Sequence, residues 1–105
     1  MRQIKFRYYN GNELCPIKLG EDWWDMPDNI EFQQFTGLLD KNGKEIYEGD
    51  ILKYTTKRGV THYWTVYWDQ NNCRFKMFLK GEENFPQSFD KERADGHEVI
   101  GNIYD

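Results

Sequence analysis

The chain has 105 residues, enough for one domain with a single core and too few for two. Its aromatic content of 17% is high beside a hydrophobic content of 38%, and large rings can close a small core when apolar residues are few. A net charge of −4 excludes a general attraction to nucleic acid or anionic lipid. We therefore expect one compact domain over residues 1–105.

The two cysteines, Cys15 and Cys73, indicate a reducing compartment. The N-terminus is charged, and no apolar run approaches the length of a membrane span, so the sequence predicts neither a secretory signal nor contact with a membrane. Two cysteines in such a chain are expected to be free, partly buried thiols in the cytoplasm. No C-x-x-C or Cys/His spacing suggests a zinc site, and we expect no cofactor.

The first predicted elements form a hairpin. Residues 3–9 alternate between apolar and polar side chains, which is typical of a strand with one face toward the core. Asn10 and Gly11 follow as a turn signal, because both tolerate positive φ. Residues 14–17 are the expected return strand, and Pro16 places that strand at an edge because proline cannot donate to a ladder.

Residues 20–29 predict a loop or a single helical turn that is both acidic and aromatic. Trp23 and Trp24 have two interpretations: they cap an open end of a barrel, or they are exposed contacts for a partner, since tryptophan is enriched at binding hot spots. Three aspartates spaced by three could align carboxylates for a cation: Asp22, Asp25 and Asp28. No glycine-centred calcium loop accompanies them, so a solvated loop is the favoured interpretation.

Two tight turns are predicted between residues 35 and 52, after a short strand over residues 30–36. Asp40 can bond back to the backbone and Asn42-Gly43 supplies left-handed positions, so residues 40–44 predict the first turn. The second turn is expected at residues 48–50, and it leads into a strand over residues 51–56.

Three strands joined by short loops predict a meander: residues 51–56, 61–68 and 73–79. Cations and tyrosines recur along these strands and the turn at residues 57–59. Small barrels bind single-stranded nucleic acid by pairing stacking rings with cations. The candidate nucleic-acid face consists of Lys53, Lys57, Arg58, Tyr63, Tyr67, Arg74 and Lys76. An ordinary solvated sheet face is the alternative interpretation.

The C-terminal part predicts one or two helical turns over residues 86–94, with Ser88 as the N-cap, and a last strand over residues 97–104. Ser88 and Lys91 also fit S-x-x-K, but its companion motifs are absent and capping explains the serine. His62 and His97 have no partner at a recognisable spacing and are interpreted as structural or exposed. The predicted fold is mostly β, a small barrel-like antiparallel meander with one short helix or helical turn.

Residues 35–52 read FTGLLDKNGKEIYEGDIL, which resembles the signature of the YopX family of phage and prophage proteins. Residues 4–7 and 98–104 resemble the two ends of that family. The resemblance implies a small β-rich protein in the cytoplasm of a bacterial host. It implies no catalytic residues, because the family is largely uncharacterised.

The functional hypothesis is a non-enzymatic accessory protein that binds another protein or assembles with itself, with Trp23 and Trp24 as candidate contacts. No stretch of the sequence makes a convincing catalytic, metal or cofactor site. The alternative is a nucleic-acid-binding barrel that uses the basic, aromatic sheet face defined above.

Overall fold

The computed structural model describes residues 5–9, 13–17 and 32–105. The strands in these ranges are β1 Phe6–Tyr9, β2 Leu14–Ile17, β3 Phe32–Leu39, β4 Glu45–Tyr47, β5 Asp50–Thr55, β6 Thr61–Asp69, β7 Arg74–Leu79, β8 Gln87–Ser88 and β9 Glu98–Asn102. A short helix, α1, spans Lys91–Gly96.

The first sheet has the order β2-β1-β3-β4, and its pairs are antiparallel. The predicted N-terminal hairpin is confirmed: β2 lies at the edge, with Pro16 opposite Arg7. β3 begins two residues later and ends three residues later than the predicted strand, and Gly37 adopts φ +87 within it. The register of β3 against β4 shifts between Phe35 and Leu39, so this glycine accommodates an irregularity in the ladder.

The second sheet has the order β8-β7-β6-β5-β9 and is also antiparallel. The meander β5-β6-β7 is confirmed, and the C-terminal strand β9 pairs with the earlier strand β5, as expected of a strand that seals a sheet. The prediction of a mostly β, barrel-like antiparallel fold with one short helix is therefore confirmed. The strands divide between two sheets, which the sequence did not indicate.

The core lies on one face of the second sheet. Leu52, Val66 and Met77 from β5, β6 and β7 are fully buried, and they pack with Ile46 from β4 and Ala94 from α1. Ile46 belongs to the first sheet, so a single core connects both sheets and the helix. The alternation that predicted β6 also predicted this inner face, because Val66 lies between Trp64 and Trp68 on it.

The predicted turn at residues 40–44 is confirmed, and the Asp40 side chain also links this turn to β9. Its Oδ1 accepts hydrogen bonds from the backbone N–H groups of Asn42 at 2.8 Å and Lys44 at 2.9 Å. Its Oδ2 accepts from the backbone N–H of Val99 in β9, also at 2.9 Å. Burial would raise the pKa of Asp40, but these three backbone donors outweigh it and lower the pKa below its ordinary value.

The stability that Asp40 contributes should depend on pH. A carboxylate whose pKa is lower in the folded state stabilises fully above its unfolded pKa of about 4, and this contribution is lost as the pH falls toward the folded pKa. We expect wild type to be more stable than Asp40→Asn at pH 6, and the difference to shrink as the pH falls toward about 3. Urea unfolding at both pH values measures it. A difference that does not change with pH would contradict this role.

The helix differs from the prediction. Ser88 is not the N-cap, because it lies in β8 opposite Lys76, where the chain is still extended. The N-cap is Asp90, whose side chain accepts a hydrogen bond from the backbone N–H of Arg93 at 3.0 Å. Lys91 therefore begins the helix, three residues after the predicted N-cap. The two-residue pairing with β7 delays the start of the helix, a tertiary effect that local propensity does not register.

Substitution of the two candidate caps distinguishes them. We expect Asp90→Ala to lower the free energy of unfolding by about 1 kcal/mol, since the N–H of Arg93 loses its acceptor. The exposed Ser88→Ala should change it by less than about 0.5 kcal/mol. Urea denaturation of both variants is the measurement, and equal losses would mean that Asp90 is not the effective cap.

Cys73 also departs from the prediction of a partly buried strand residue. It lies in the turn after β6 with φ 51, its side chain is exposed, and its Sγ donates to the carbonyl oxygen of Gln70 at 3.6 Å. The reversal between β6 and β7 needs a residue in the left-handed region, and Cys73 fills it. Cys15 is half-buried as expected, and the two thiols are not joined in a disulfide.

Candidate functional site

Five of the seven residues predicted as a nucleic-acid face lie on one side of the second sheet, the side opposite the core. Lys53 is directly across from Tyr63, Tyr67 from Lys76, and Asp69 from Arg74. Residues directly opposite each other on antiparallel strands share a face, and these alternate with core residues such as Val66 and Met77. We call this surface the outer face: Lys53, Tyr63, Tyr67, Arg74 and Lys76.

The other two predicted residues are not on the outer face. Lys57 and Arg58 are exposed in the turn between β5 and β6, where Gly59 takes φ +85 and the N–H of Thr56 donates to the carbonyl of Val60 at 2.8 Å. The turn lies at one end of the sheet, so the seven residues do not form a single surface.

One cation of the outer face is already neutralised. Lys76 Nζ lies 2.9 Å from Asp69 Oδ2, and both side chains are largely buried, at 15% and 12% exposure. Hydrogen bonds from Asn72 and Lys76 lower the pKa of Asp69 to about 2, so the carboxylate is charged at neutral pH. Within the described ranges neither Lys53 nor Arg74 forms an ion pair, although Glu98 and Asp69 lie directly opposite them on the neighbouring strands. The positive charge available on this face is therefore modest.

An apolar groove continues the outer face toward the C-terminus. It encloses about 290 Å³, and we call it the aromatic groove: its walls include Phe32, Tyr67, Phe78, Ile103 and Tyr104. Phe32 and Ile103 are 41% and 52% exposed, although both side chains are large and apolar. Exposed apolar residues gathered at one place are typical of an interaction surface.

Glu48 is the acidic side chain in the wall of the aromatic groove, although its sequence context predicts only a turn. Its Oε1 accepts a hydrogen bond from the backbone N–H of Gln34 at 2.8 Å. Burial raises the pKa of Glu48, and the hydrogen bond from Gln34 opposes this only in part. The groove thus places a carboxylate beside aromatic rings, with Gln33 and Thr65 also in its wall. No local pattern in the sequence distinguishes Glu48 from the other glutamates, because the groove is built by distant strands.

A second feature that the sequence did not reveal is a buried polar cluster, which we call the buried polar network: Arg7, Gln33, Asp50 and Asn102. Arg7 forms an ion pair with Asp50, and its Nε donates to Gln33 Oε1 at 2.9 Å. Asn102 Nδ2 donates to both Asp50 Oδ1 and Gln33 Oε1 at 3.1 Å. Because the polar groups of the network bond to one another, the network has the properties of a structural support rather than a reactive site.

Several candidates lie outside the described residues or carry no site. Trp23 and Trp24 lie outside the described ranges, as do the three aspartates Asp22, Asp25 and Asp28. Within those ranges no three His, Cys, Asp or Glu side chains gather to hold a metal ion. No helix in the described part of the chain is long and apolar enough to cross a membrane.

The two histidines have different environments. His97 is 6% exposed and stacks on Tyr54 with ring centroids 4.9 Å apart, so its structural interpretation is supported. His62 is half-buried in β6, directly opposite Tyr54. Both histidines lie beside a cavity on the core side of the second sheet.

Comparison with known proteins identifies a family and a similar solved structure. The sequence model of a family described as YopX protein matches residues 5–105. Among solved structures, the crystal structure of protein EF1440 from Enterococcus faecalis aligns with a TM-score of 0.51 and 28% identity, over 97% of this chain and 71% of that one. No curated protein matches the sequence.

Proposed function

The chain belongs to the YopX protein family, and we propose that it is a non-enzymatic accessory protein that assembles with itself through the outer face and the aromatic groove. The observation that carries this proposal is the position of Phe32 and Ile103, two large apolar side chains that are 41% and 52% exposed in the wall of one groove. Tyr63, 44% exposed, extends the ring-bearing surface along β6. Aromatic anchors at the centre and charges at the rim are the usual anatomy of a protein interface.

The charge distribution favours a second copy of the chain as the partner. Residues 13–31 contain six acidic residues and one base. On the outer face, Lys53 and Arg74 form no ion pair with any of the described residues. Each copy of the chain therefore carries both an acidic segment and the cations that could attract the acidic segment of a second copy. Complementary charges steer association and set its orientation, and the apolar groove supplies the affinity.

Light scattering coupled to gel filtration tests the proposal. At low salt we expect an oligomer, with a larger fraction of monomer as NaCl is raised to about 0.5 M, since the exposed charges that orient the two copies are then screened. Lys53→Glu should shift the protein toward the monomer at low salt. Lys91→Glu makes the same charge change on α1, where the lysine side chain is 82% exposed, and should leave the assembly intact. A protein that is monomeric at every salt and protein concentration would overturn self-assembly.

Nucleic-acid binding is the second candidate, because the outer face places Lys53 and Arg74 on the same surface as Tyr63 and Tyr67. The acidic net charge of −4 and the Lys76–Asp69 pair oppose it. Gel-shift assays with single- and double-stranded DNA and RNA at low salt separate the two functions. A shift that Lys53→Glu abolishes would favour this second candidate; no shift at all ends it.

A phage or prophage origin and action in the bacterial cytoplasm belong to the same proposal. They rest on the likeness of residues 35–52 to the family signature and on the reducing environment that two cysteines without a disulfide between them favour. Phage replication or packaging genes beside the coding gene are the expected context. A gene flanked only by host metabolic genes would count against a phage role.

A further inference from the structure

A cavity of about 470 Å³ lies on the opposite side of the second sheet from the outer face. We call it the Trp64 pocket. Tyr54 and Trp64 come from β5 and β6, and His97 follows α1, so two neighbouring strands and the end of the helix form its walls. Arg93 and Glu92 of the helix lie at its polar side. The volume is within the range of small-molecule sites.

His97 brings a buried hydrogen-bond acceptor to this pocket. Its Nδ1 lies 2.5 Å from the carbonyl oxygen of Arg93, and a carbonyl can only accept, so Nδ1 carries the proton. Burial lowers the pKa of His97, which keeps the ring neutral at pH 7. Nε2 of the neutral ring then has a lone pair, and this atom is buried without a hydrogen-bond partner in the described part of the chain.

Trp64 brings a buried donor. Its indole Nε1–H can only donate, and it too is buried with no hydrogen-bond partner among the described residues. The Trp64 and His97 rings meet edge to face, with centroids 6.4 Å apart. Buried polar groups in folded proteins are nearly always paired, so two unpartnered nitrogens of opposite character beside one cavity call for an explanation. A single group that both accepts and donates would satisfy them together.

Tyr54 forms the outer wall of the pocket. Its ring is 38% exposed and stacks on His97 at an interplanar angle of 22°. The aromatic walls favour a flat ligand, because rings gain from offset stacking and edge contacts. Tyr54 is also the most exposed of the three rings, so a ligand that reaches the shielded nitrogens would have to displace its side chain.

We propose that the Trp64 pocket binds a small uncharged aromatic molecule carrying a hydroxyl or a primary amide. The polar group accepts a hydrogen bond from Trp64 Nε1–H and donates one to His97 Nε2, while its ring lies against Tyr54. This site is separate from the assembly surface, since the sheet lies between them.

Nuclear magnetic resonance of the ¹⁵N-labelled full chain tests the site with four probes. Phenol and benzamide both accept and donate, anisole only accepts, and toluene does neither. We expect phenol and benzamide to shift the Trp64 indole N–H signal saturably and to change the ¹⁵N shift of His97 Nε2. Their affinity should exceed that of anisole by about tenfold, the worth of one net hydrogen bond. The indole of Trp68 on the same strand serves as an internal control and should not move.

Trp64→Phe assigns the signal and removes the donor while keeping a ring. In this variant phenol should bind no better than anisole, as judged from the His97 signal. The wild-type His97 shift tests the proposal even if the variant does not fold. Equal shifts with all four probes, shifts at Trp68 of the same size, or no shift with any probe would overturn it. The last result would mean that water alone bridges the two nitrogens.

Discussion

Asp50→Ala is expected to lower the free energy of unfolding by about 3–5 kcal/mol, because it leaves a buried charge without its partner. Asp50 is 1% exposed, and its Oδ2 accepts a hydrogen bond from the backbone N–H of Tyr47 at 2.8 Å. Its Oδ1 binds Arg7 and Asn102. The Arg7 side chain is only 14% exposed, so water cannot replace the lost carboxylate easily. Urea denaturation followed by tryptophan fluorescence measures the change.

Glu45→Ala is the matched control. Glu45 also pairs with a cation of the N-terminal strand region, Lys5, at 2.6 Å, but the two side chains are 38% and 36% exposed. Exposed pairs contribute about 0–1 kcal/mol, so this variant should lose far less stability. If Asp50→Ala costs no more than Glu45→Ala, the buried polar network does not support the fold as we describe.

The expected size of the Asp50 effect follows from where the network lies. Arg7 and Gln33 belong to the first sheet, whereas Asp50 and Asn102 belong to the second. Within the first sheet, Arg7 of β1 also contacts Tyr47 of β4, with its guanidinium 4.2 Å from the ring centroid. The network therefore joins the two sheets, as the core residue Ile46 also does. Loss of Asp50 therefore weakens the contact between the two sheets, and its effect is not confined to the turn before β5.

The sequence predicted the turns and the meander because their signals are local. Asp40, Gly43 and Gly49 meet backbone requirements within a few residues, and the alternation along β6 identifies an inner and an outer face. The network could not be predicted in this way, because Arg7 and Asp50 are 43 residues apart. The sequence predicts Asp50 as the last residue of the turn at residues 48–50, whereas it is the first residue of β5 and its main partners are in other strands.

The candidate sites show the same limit. The alternation of side chains along the strands placed Lys53, Tyr63 and Tyr67 on one face of the sheet. It could not indicate that Asp69 neutralises Lys76. The Trp64 pocket requires the pairing of β5 with β9 and the packing of α1 beside them, which brings together residues more than thirty positions apart. The proposed contact role of Trp23 and Trp24 stays a prediction.

Gly49→Ala is the second substitution with a large expected effect. Gly49 has φ +86, and an added Cβ would lie 2.2 Å from Nε2 of Gln33 and 3.4 Å from Nδ2 of Asn102. Gln33 is 3% exposed and bonded to Arg7 and Asn102, so it cannot move without breaking the network. We expect a loss of about 1–2 kcal/mol from the left-handed backbone and about 1–3 kcal/mol more from buried groups left unpaired.

Gly43→Ala separates these two contributions. Gly43 has nearly the same φ, +82, but no atom of the described residues lies within 4 Å of a Cβ built there. Gly43→Ala should therefore lose only the backbone part of the stability, about 1–2 kcal/mol.

A Gln33→Ala background removes the side chain that clashes at Gly49. In that background, Gly49→Ala should lower the free energy of unfolding by no more than Gly43→Ala does. An unchanged cost in that background would mean that the left-handed backbone, and not the network, requires glycine at this position. A reduced cost in the Gln33→Ala background would mean that Gly49 lets the two sheets approach each other. Close approach of the sheets then explains, better than turn formation alone, why glycine precedes Asp50 in this segment.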